Sequence, residues 1–304
     1  MSTHTIVGLG ELLWDLLPEG KKMGGAPANF AYHCGLLGNN AVVASRIGTD
    51  ALGDEALQII ADHGLDSGYI QRDAVHPTGS VSIVLDEKKQ AQYEFASDVA
   101  WDYMECTEQW KILAAKTDAI CFGTLAQRNS VSSKAVGEFL SLLPANALKV
   151  FDVNLRGTFY SAELLDRLLH SCNLLKLNHQ ELPVIAQLLS LGTNSEVGFA
   201  RAILEKYPVE TVCTTKGEEG SLFVTHNRVY EHQGYAVEVA DTVGAGDAFC
   251  AAFVHYYLAG SPLEEIAEEA SRRGAWVATQ SGAMPSPATY TKPESCIVPA
   301  LAHA

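Results

Sequence analysis

No stretch of this chain approaches the roughly 18 consecutive apolar residues that a membrane-spanning helix needs. Basic residues are scarce: 21 Lys and Arg stand against 36 Asp and Glu, a formal charge of −15. That balance argues against nucleic acid or an anionic membrane as a main partner, and leaves room for a small anion in a local pocket. The seven cysteines (Cys34, Cys106, Cys121, Cys172, Cys213, Cys250 and Cys296) include no Cys-x-x-Cys pair, and several lie in apolar runs. They read as buried, reduced thiols of a cytoplasmic protein, none with the neighbourhood of a nucleophile. No His-Glu-x-x-His pair marks a zinc enzyme. No Gly-x-x-x-x-Gly-Lys-Ser/Thr loop is present, and Gly8-Leu-Gly10 lacks the third glycine of a dinucleotide fingerprint, because position 13 is leucine. The first residues carry no basic n-region, and Gly8, Gly10, Glu11 and Asp15 interrupt the first apolar run, so no secretory signal is expected. There is no linker, repeat or low-complexity tract.

With 47% hydrophobic and 19% charged residues, the 304-residue chain has globular composition. A chain of this length can bury roughly three quarters of its unfolded surface, enough for one large domain with a small appendage. Strand-length apolar runs recur, each followed by a helical pattern. Strands are expected at Thr5–Leu9, Ala41–Ile47, Asp118–Phe122, Leu148–Val153, Asn173–Leu177 and Thr211–Thr215. Helices are expected at Pro27–Leu37, Ala51–His63, Val131–Leu142, Ala162–His170, Glu196–Lys206, Ala245–Leu258 and Leu263–Gln280. Such alternation implies an α/β fold, a mostly parallel sheet covered on both faces. Two segments break the rhythm. Gly79–Leu85 and Gln90–Phe95 alternate with period two around the polar turn Asp86–Lys89, the pattern of a β-hairpin with one dry face. Leu12–Leu17 is a candidate third strand. The dry face covers a site as a lid, or is a packing or dimer contact.

The segment richest in chemistry is Asp241-Thr-Val-Gly-Ala-Gly-Asp247-Ala-Phe-Cys-Ala-Ala-Phe253. Gly244 and Gly246 permit a tight turn with exposed amides. The helix that follows is apolar nearly all round, hence buried. Its N-terminus offers unpaired N–H groups and the positive end of the helix dipole to an anion. A carboxylate in a first helical turn is favourable on its own, so Asp247 alone would say little. Two carboxylates at an anion site make sense if one handles a proton and the other organises the loop or a cation. Near the N-terminus, Gly24-Gly-Ala26-Pro-Ala-Asn29-Phe-Ala31, running on through Gly35 and Gly38, allows close backbone approach to a ligand. Asn29 adds a donor and an acceptor suited to sugar hydroxyls.

Together, in this order, the two segments resemble the paired signatures of the ribokinase-like (PfkB) family of carbohydrate kinases, and the bacterial fructokinases within it. The resemblance spans essentially the whole chain. It implies one ribokinase-like domain over residues 1–304, a three-layer α/β/α sandwich, with a small β-sheet lid built from segments at about 12–22 and 75–100. It implies transfer of the ATP γ-phosphoryl group to a primary sugar hydroxyl. Asp247 is the implied base, and the amides of Ala245, Gly246 and Asp247, after Gly244, the anion site. Asp15, Gly24, Gly25 and Asn29 are the implied sugar contacts, with Arg156 of Asp152-x-Asn154-x-Arg156 and the lid aromatics Phe95 and Trp101. Asn178-His-Gln-Glu181 fits the family's Asn-x-x-Glu element, in which Glu181 organises Mg²⁺ through water; the same residues also form an ordinary helix capping box. Thr215-Lys-Gly217-Glu-Glu-Gly220 resembles the nucleotide loop, or is a glycine-bearing turn. A monovalent cation, K⁺, is implied near Asp241, the Val243 carbonyl and the 278–286 segment with Ser286. All of these fall where strands end, the usual ligand edge of an open α/β sheet.

The lid stretch Tyr93–Asp102 contains no Lys or Arg and three carboxylates. A lid over an acidic or phosphorylated sugar would be expected to bring a cation, so a neutral sugar, fructose first, is expected. Bacterial fructokinases often carry an arginine there, and its absence leaves 2-keto-3-deoxygluconate, ribose and nucleosides as alternatives. Lys21 and Lys22 are either solvated or reach toward an anionic substrate. A homodimer through the lid follows by the same resemblance. A protein of another class, a sugar- or nucleotide-responsive binder on a kinase fold, is the competing reading; it has no need of an intact Gly244–Asp247 loop.

Overall fold

The computed structural model describes residues 3–17, 20–85, 91–291 and 293. The expected turn at 86–90 and Cys296 lie outside them. The strands are β1 (Thr5–Leu9), β2 (Leu13–Leu17), β3 (Gly20–Gly24), β4 (Asn40–Gly48), β5 (Ile70–Asp73), β6 (Gly79–Leu85), β7 (Ala91–Phe95), β8 (Ala119–Phe122), β9 (Leu148–Asp152), β10 (Leu174–Asn178), β11 (Thr211–Thr215), β12 (Ser221–Thr225) and β13 (Val229–His232). The helices are α1 (Ala26–Leu36), α2 (Ala51–Asp62), α3 (Glu108–Ala114), α4 (Ser130–Ser141), α5 (Ala162–His170), α6 (Glu181–Leu188), α7 (Glu196–Lys206), α8 (Ala245–Leu258) and α9 (Leu263–Ala278).

Nine strands form one sheet in the order β13-β12-β11-β10-β9-β8-β1-β4-β5. From β5 to β11 every pairing is parallel; β12 and β13 return antiparallel. Successive side chains of each strand enter opposite cores, as the strand period requires. Val7, Ile120, Phe151, Leu175 and Val212 pack with α3–α7. Ile6, Cys121, Val150, Leu174 and Cys213 pack with α1, α2, α8 and α9. The layers are therefore helix, sheet, helix. Every described cysteine is free, and all but Cys106 are buried. No helix among the described residues is long and apolar enough to cross a membrane.

The second sheet has four strands in the order β3-β2-β6-β7. The hairpin β6–β7 pairs Val81 with Phe95, and β2 runs parallel to β6 and antiparallel to β3. Its root is a separate apolar cluster of Leu13, Val81, Val99, Trp101 and Leu125. Arg128 closes that cluster. Its guanidinium lies 4.0 Å from the Trp101 ring centroid and donates to both Asp102 oxygens at 2.7 Å.

Helix starts differ in how their first amides are used. Asp50, Thr107, Asn129, Ser161 and Ser195 cap α2, α3, α4, α5 and α7 with side-chain oxygens, which uses up first-turn amides. By contrast, α1 and α8 begin at Gly25 (φ 117°) and Gly244 (φ 78°), with no capping side chain. Both starts face the cleft between the two sheets.

Candidate active site

The site is assembled from the ends of β1, β8, β9, β10 and β11 and the uncapped starts of α1 and α8. At Gly244 the left-handed turn is enforced from outside as well. A Cβ there would lie 2.4 Å from that of Ala283. The turn aims the first amides of α8 outward. Ala245 N–H reaches the Thr242 carbonyl at 3.3 Å. The amides of Gly246 and Asp247 have no acceptor among the described residues. Of the three amides expected to hold an anion, two are thus uncommitted and one is weakly engaged.

Asp247, in the first turn of α8, is partly open to the cleft but ringed by protein. Asn29 of α1 donates to its Oδ2 at 2.8 Å. The two signature segments therefore meet through one hydrogen bond. Asn29 Oδ1 is buried and has no partner among the described residues, an acceptor that costs free energy unless a donor arrives. Burial and the nearby Asp152 push the Asp247 carboxyl up to about 6, against Asn29, Lys176 and Arg156, which favour its charged form.

On the other wall, Gly25 lets the chain pass close to the β1 end; a Cβ on it would lie 2.4 Å from the Glu11 carbonyl oxygen. A Cβ on Gly24 would lie 2.6 Å from Asp15 Oδ2. Asp15 is raised by burial, with Arg156 and Lys22 opposing and Asp241 assisting. Arg156 itself is exposed and bonded only to the Leu155 carbonyl at 3.1 Å; its charge is felt by Glu11, Asp15 and Asp247. Phe95 sits at the root of the small sheet, edge-on to Phe159. Trp101 is not brought to the cleft: it is 1% exposed within that root.

Sequence reasoning missed two residues. Glu11 is 4% exposed and lines a small cavity with Pro27, Thr124, Asp152 and Asn154. Burial raises its carboxyl to about 7; its own amide, Arg156 and the Ala26 amide oppose, and Asp247 assists. Lys176 of β10 donates to both Asp152 oxygens, at 3.0 and 2.9 Å. Each had a signal: a carboxylate ending an apolar strand, and a lysine between buried leucines.

At the nucleotide edge, Asn178 and Glu181 form the reciprocal capping box that the spacing also allowed. Asn178 Oδ1 accepts from the Gln180 and Glu181 amides at 2.9 and 3.0 Å, and Glu181 Oε2 accepts from the Asn178 amide at 2.8 Å. Glu181 Oε1 accepts from the Leu155 amide at 2.8 Å. Burial raises this carboxyl, opposed first by the Asn178 amide. Thr215 ends β11 opposite Asn178. The loop that follows turns at Gly217 (φ 61°) and Gly220 (φ 92°). At Gly220 a Cβ would fall 1.9 Å from the His232 carbonyl oxygen.

Asp241 ties the α8 loop to the 281–286 segment. Its Oδ1 accepts from the Val243 amide at 3.0 Å, its Oδ2 from the Gly282 amide at 3.1 Å, and Lys22 stands 3.6 Å away. Ser286 caps a short turn through the Ala288 amide at 3.4 Å. Asp241 thus joins the two segments between which a monovalent cation is expected. Lys21 pairs with Glu55. Both lysines before Gly24 are exposed and pair with carboxylates.

Comparison with known proteins agrees with this geometry. A Fructokinase of Salmonella typhimurium is 29% identical over 293 residues, covering 91% of this chain and 94% of the relative. A solved Fructokinase with bound ATP from Xylella fastidiosa superposes with a TM-score of 0.81 at 21% identity, covering 92% and 94% of the two chains. The Fructokinase of Vibrio cholerae O395, solved in a form binding fructose, ADP and calcium ion, gives 0.80 at 24% identity, covering 96% and 99%. Residues 19–289 match the family described as pfkB family carbohydrate kinase, and the chain belongs to it.

Proposed function

We propose that this sugar kinase phosphorylates a primary hydroxyl of a neutral sugar, fructose first. The observation that carries the proposal is the Asn29–Asp247 bond at the foot of an uncapped, glycine-initiated α8. It puts a proton acceptor, a free carbonyl acceptor and two free amides within one turn of helix.

In this reading the sugar lies between Asp15, Gly24, Gly25 and Asn29, with Arg156 at the rim. Asn29 Oδ1 receives a sugar hydroxyl and loses its isolation. Asp247 aims the primary hydroxyl oxygen at the γ-phosphorus and accepts its proton. The O–H bond breaks, the new O–P bond forms, and the bond to the β-phosphate oxygen breaks to release ADP. Phosphoryl transfer asks mainly for positioning and charge stabilisation; the Gly246 and Asp247 amides meet the developing charge. The nucleotide lies along Asn178, Thr215, Gly217 and Gly220. Glu181 has both oxygens on backbone amides, which fits a carboxylate acting on the water shell of Mg²⁺ rather than ligating it. That ion supplies charge neutralisation to the phosphates.

The preference for a neutral sugar rests on where the cations go. Arg128, which enters the lid root from outside, is spent on Asp102 and the Ala96 carbonyl. Lys21 and Lys22 are paired. The sugar wall presents Glu11 and Asp15 against one exposed arginine.

The test is ADP release with Mg²⁺ across fructose, tagatose, ribose, 2-keto-3-deoxygluconate, fructose 6-phosphate and adenosine. Turnover highest with fructose supports the proposal. Turnover highest with an anionic member overturns the reading of the sugar wall. Absence of turnover with all, with sugar-dependent thermal stabilisation, favours a non-catalytic binder.

A further inference from the structure

The family-type loop carries no lysine of its own, yet an ammonium lies directly beneath it. Lys176 is a cross-strand neighbour of Asp152 in the register of β9 and β10. The two side chains are each 8% exposed. A Cβ built on Gly246 would stand 3.4 Å from Lys176 Nζ, so the ammonium lies one side-chain carbon beyond the backbone of a residue whose amide opens the anion site. The flanking strand residues Leu174, Leu175 and Leu177 are fully buried. A charged pair in such a setting contributes little stability over an apolar pair of the same volume, so stability does not explain its presence.

We propose that the Lys176–Asp152 pair is a positioning element for phosphoryl transfer: Lys176 supplies fixed positive charge under the Gly244–Asp247 loop, and Asp152 holds it there. The inference rests on the sugar-kinase reading of the site. The ammonium adds to the positive end of α8, and being fixed it needs no reorganisation as charge develops. Asp152 offsets the burial that would otherwise strip Lys176 of its proton and keeps it charged, above lysine's ordinary range. The charged and titratable groups facing Asp247 are then Glu11 from the end of β1, Asp152 and Arg156 from β9 and the segment after it, and Lys176 from β10, beside the neutral donor Asn29 of α1. Lys176 is the buried cation of that set.

The experiment compares Lys176→Met, Asp152→Asn and the double variant in sugar-dependent ADP release as a function of pH. Asp247 is titrated in parallel by carboxyl ¹³C NMR, which needs no turnover. Lys176→Met moves the Asp247 titration to higher pH. The double variant removes both charges, so it folds even where a single change leaves a buried orphan charge. Its plateau kcat falls about 100-fold, the scale of losing one transition-state charge contact, with sugar KM within about threefold of wild type. A double variant with kcat within threefold of wild type overturns the proposal, as does a Lys176→Met variant whose Asp247 titration stays in place or moves to lower pH. A wild-type protein that releases no ADP with any sugar overturns the kinase reading instead, while the Lys176→Met NMR shift would still show the ammonium setting the field at Asp247.

Discussion

Asp247 must be ionised to accept a proton, and its carboxyl is lifted to about 6 by burial and Asp152. kcat/KM for the sugar is therefore expected to rise with pH through an acid limb near 6 and then level. Because Glu11 and Asp247 repel, the limb belongs to the pair and not to one residue. A limb near 4 would contradict the burial argument. Glu11 has a separate consequence for stability. Its folded value of about 7 exceeds the ordinary carboxyl value of 4.5, so the folded state holds the proton more tightly. That contribution is complete below about pH 4.5 and is lost as pH rises through 7. Glu11→Gln cannot ionise, so its stability relative to wild type should rise by about 3 kcal/mol between pH 5 and 8. Chemical unfolding at both pH values checks this; a difference that does not change with pH would refute it.

At the scale of elements, the start of α8 depends on Gly244. Alanine there meets both the left-handed backbone and the Ala283 side chain, a cost of about 2–4 kcal/mol. Gly244→Ala is expected to lose that stability and most of its turnover; wild-type kcat in this variant would show that the turn is not needed. The small sheet depends on Arg128. Arg128→Met leaves the Asp102 carboxylate buried without its cation, with the Val99 amide at 3.2 Å as its remaining donor among the described residues, and breaking such a pair costs about 3–5 kcal/mol. Adding Asp102→Asn should restore much of the lost thermal stability, and failure to do so would place the effect in the lost ring stacking. The parallel strands were legible because their interiors are apolar runs. The elements that were not legible have physical reasons. β3 reads Gly-Lys-Lys-Met-Gly and is a strand only because β2 pairs with it. β13 lies at the sheet edge with Val229 and Glu231 exposed, so no apolar run marks it. α6 carries Pro183, which reads as a break, but in its first turn a missing N–H is harmless.

Across the whole molecule, the candidate site was legible because two glycine-rich segments carry their own chemistry, and the fold brings them together through Asn29 and Asp247. It could not reveal the field around Asp247. Glu11 and Lys176 act through burial and distance, and neither is visible before strands are placed side by side. Trp101 was expected at the sugar and instead roots the small sheet, because an aromatic at the end of a hairpin serves packing as well as binding. The central claim, a carboxylate base at the foot of an uncapped helix, is tested most directly by Asp247→Asn. The measurement is kcat with the best sugar at pH 8 alongside the affinity for ATP. Turnover is expected to fall by at least 100-fold, within the range for a general base, with ATP affinity largely kept. A variant retaining more than about a tenth of wild-type kcat would contradict the assignment.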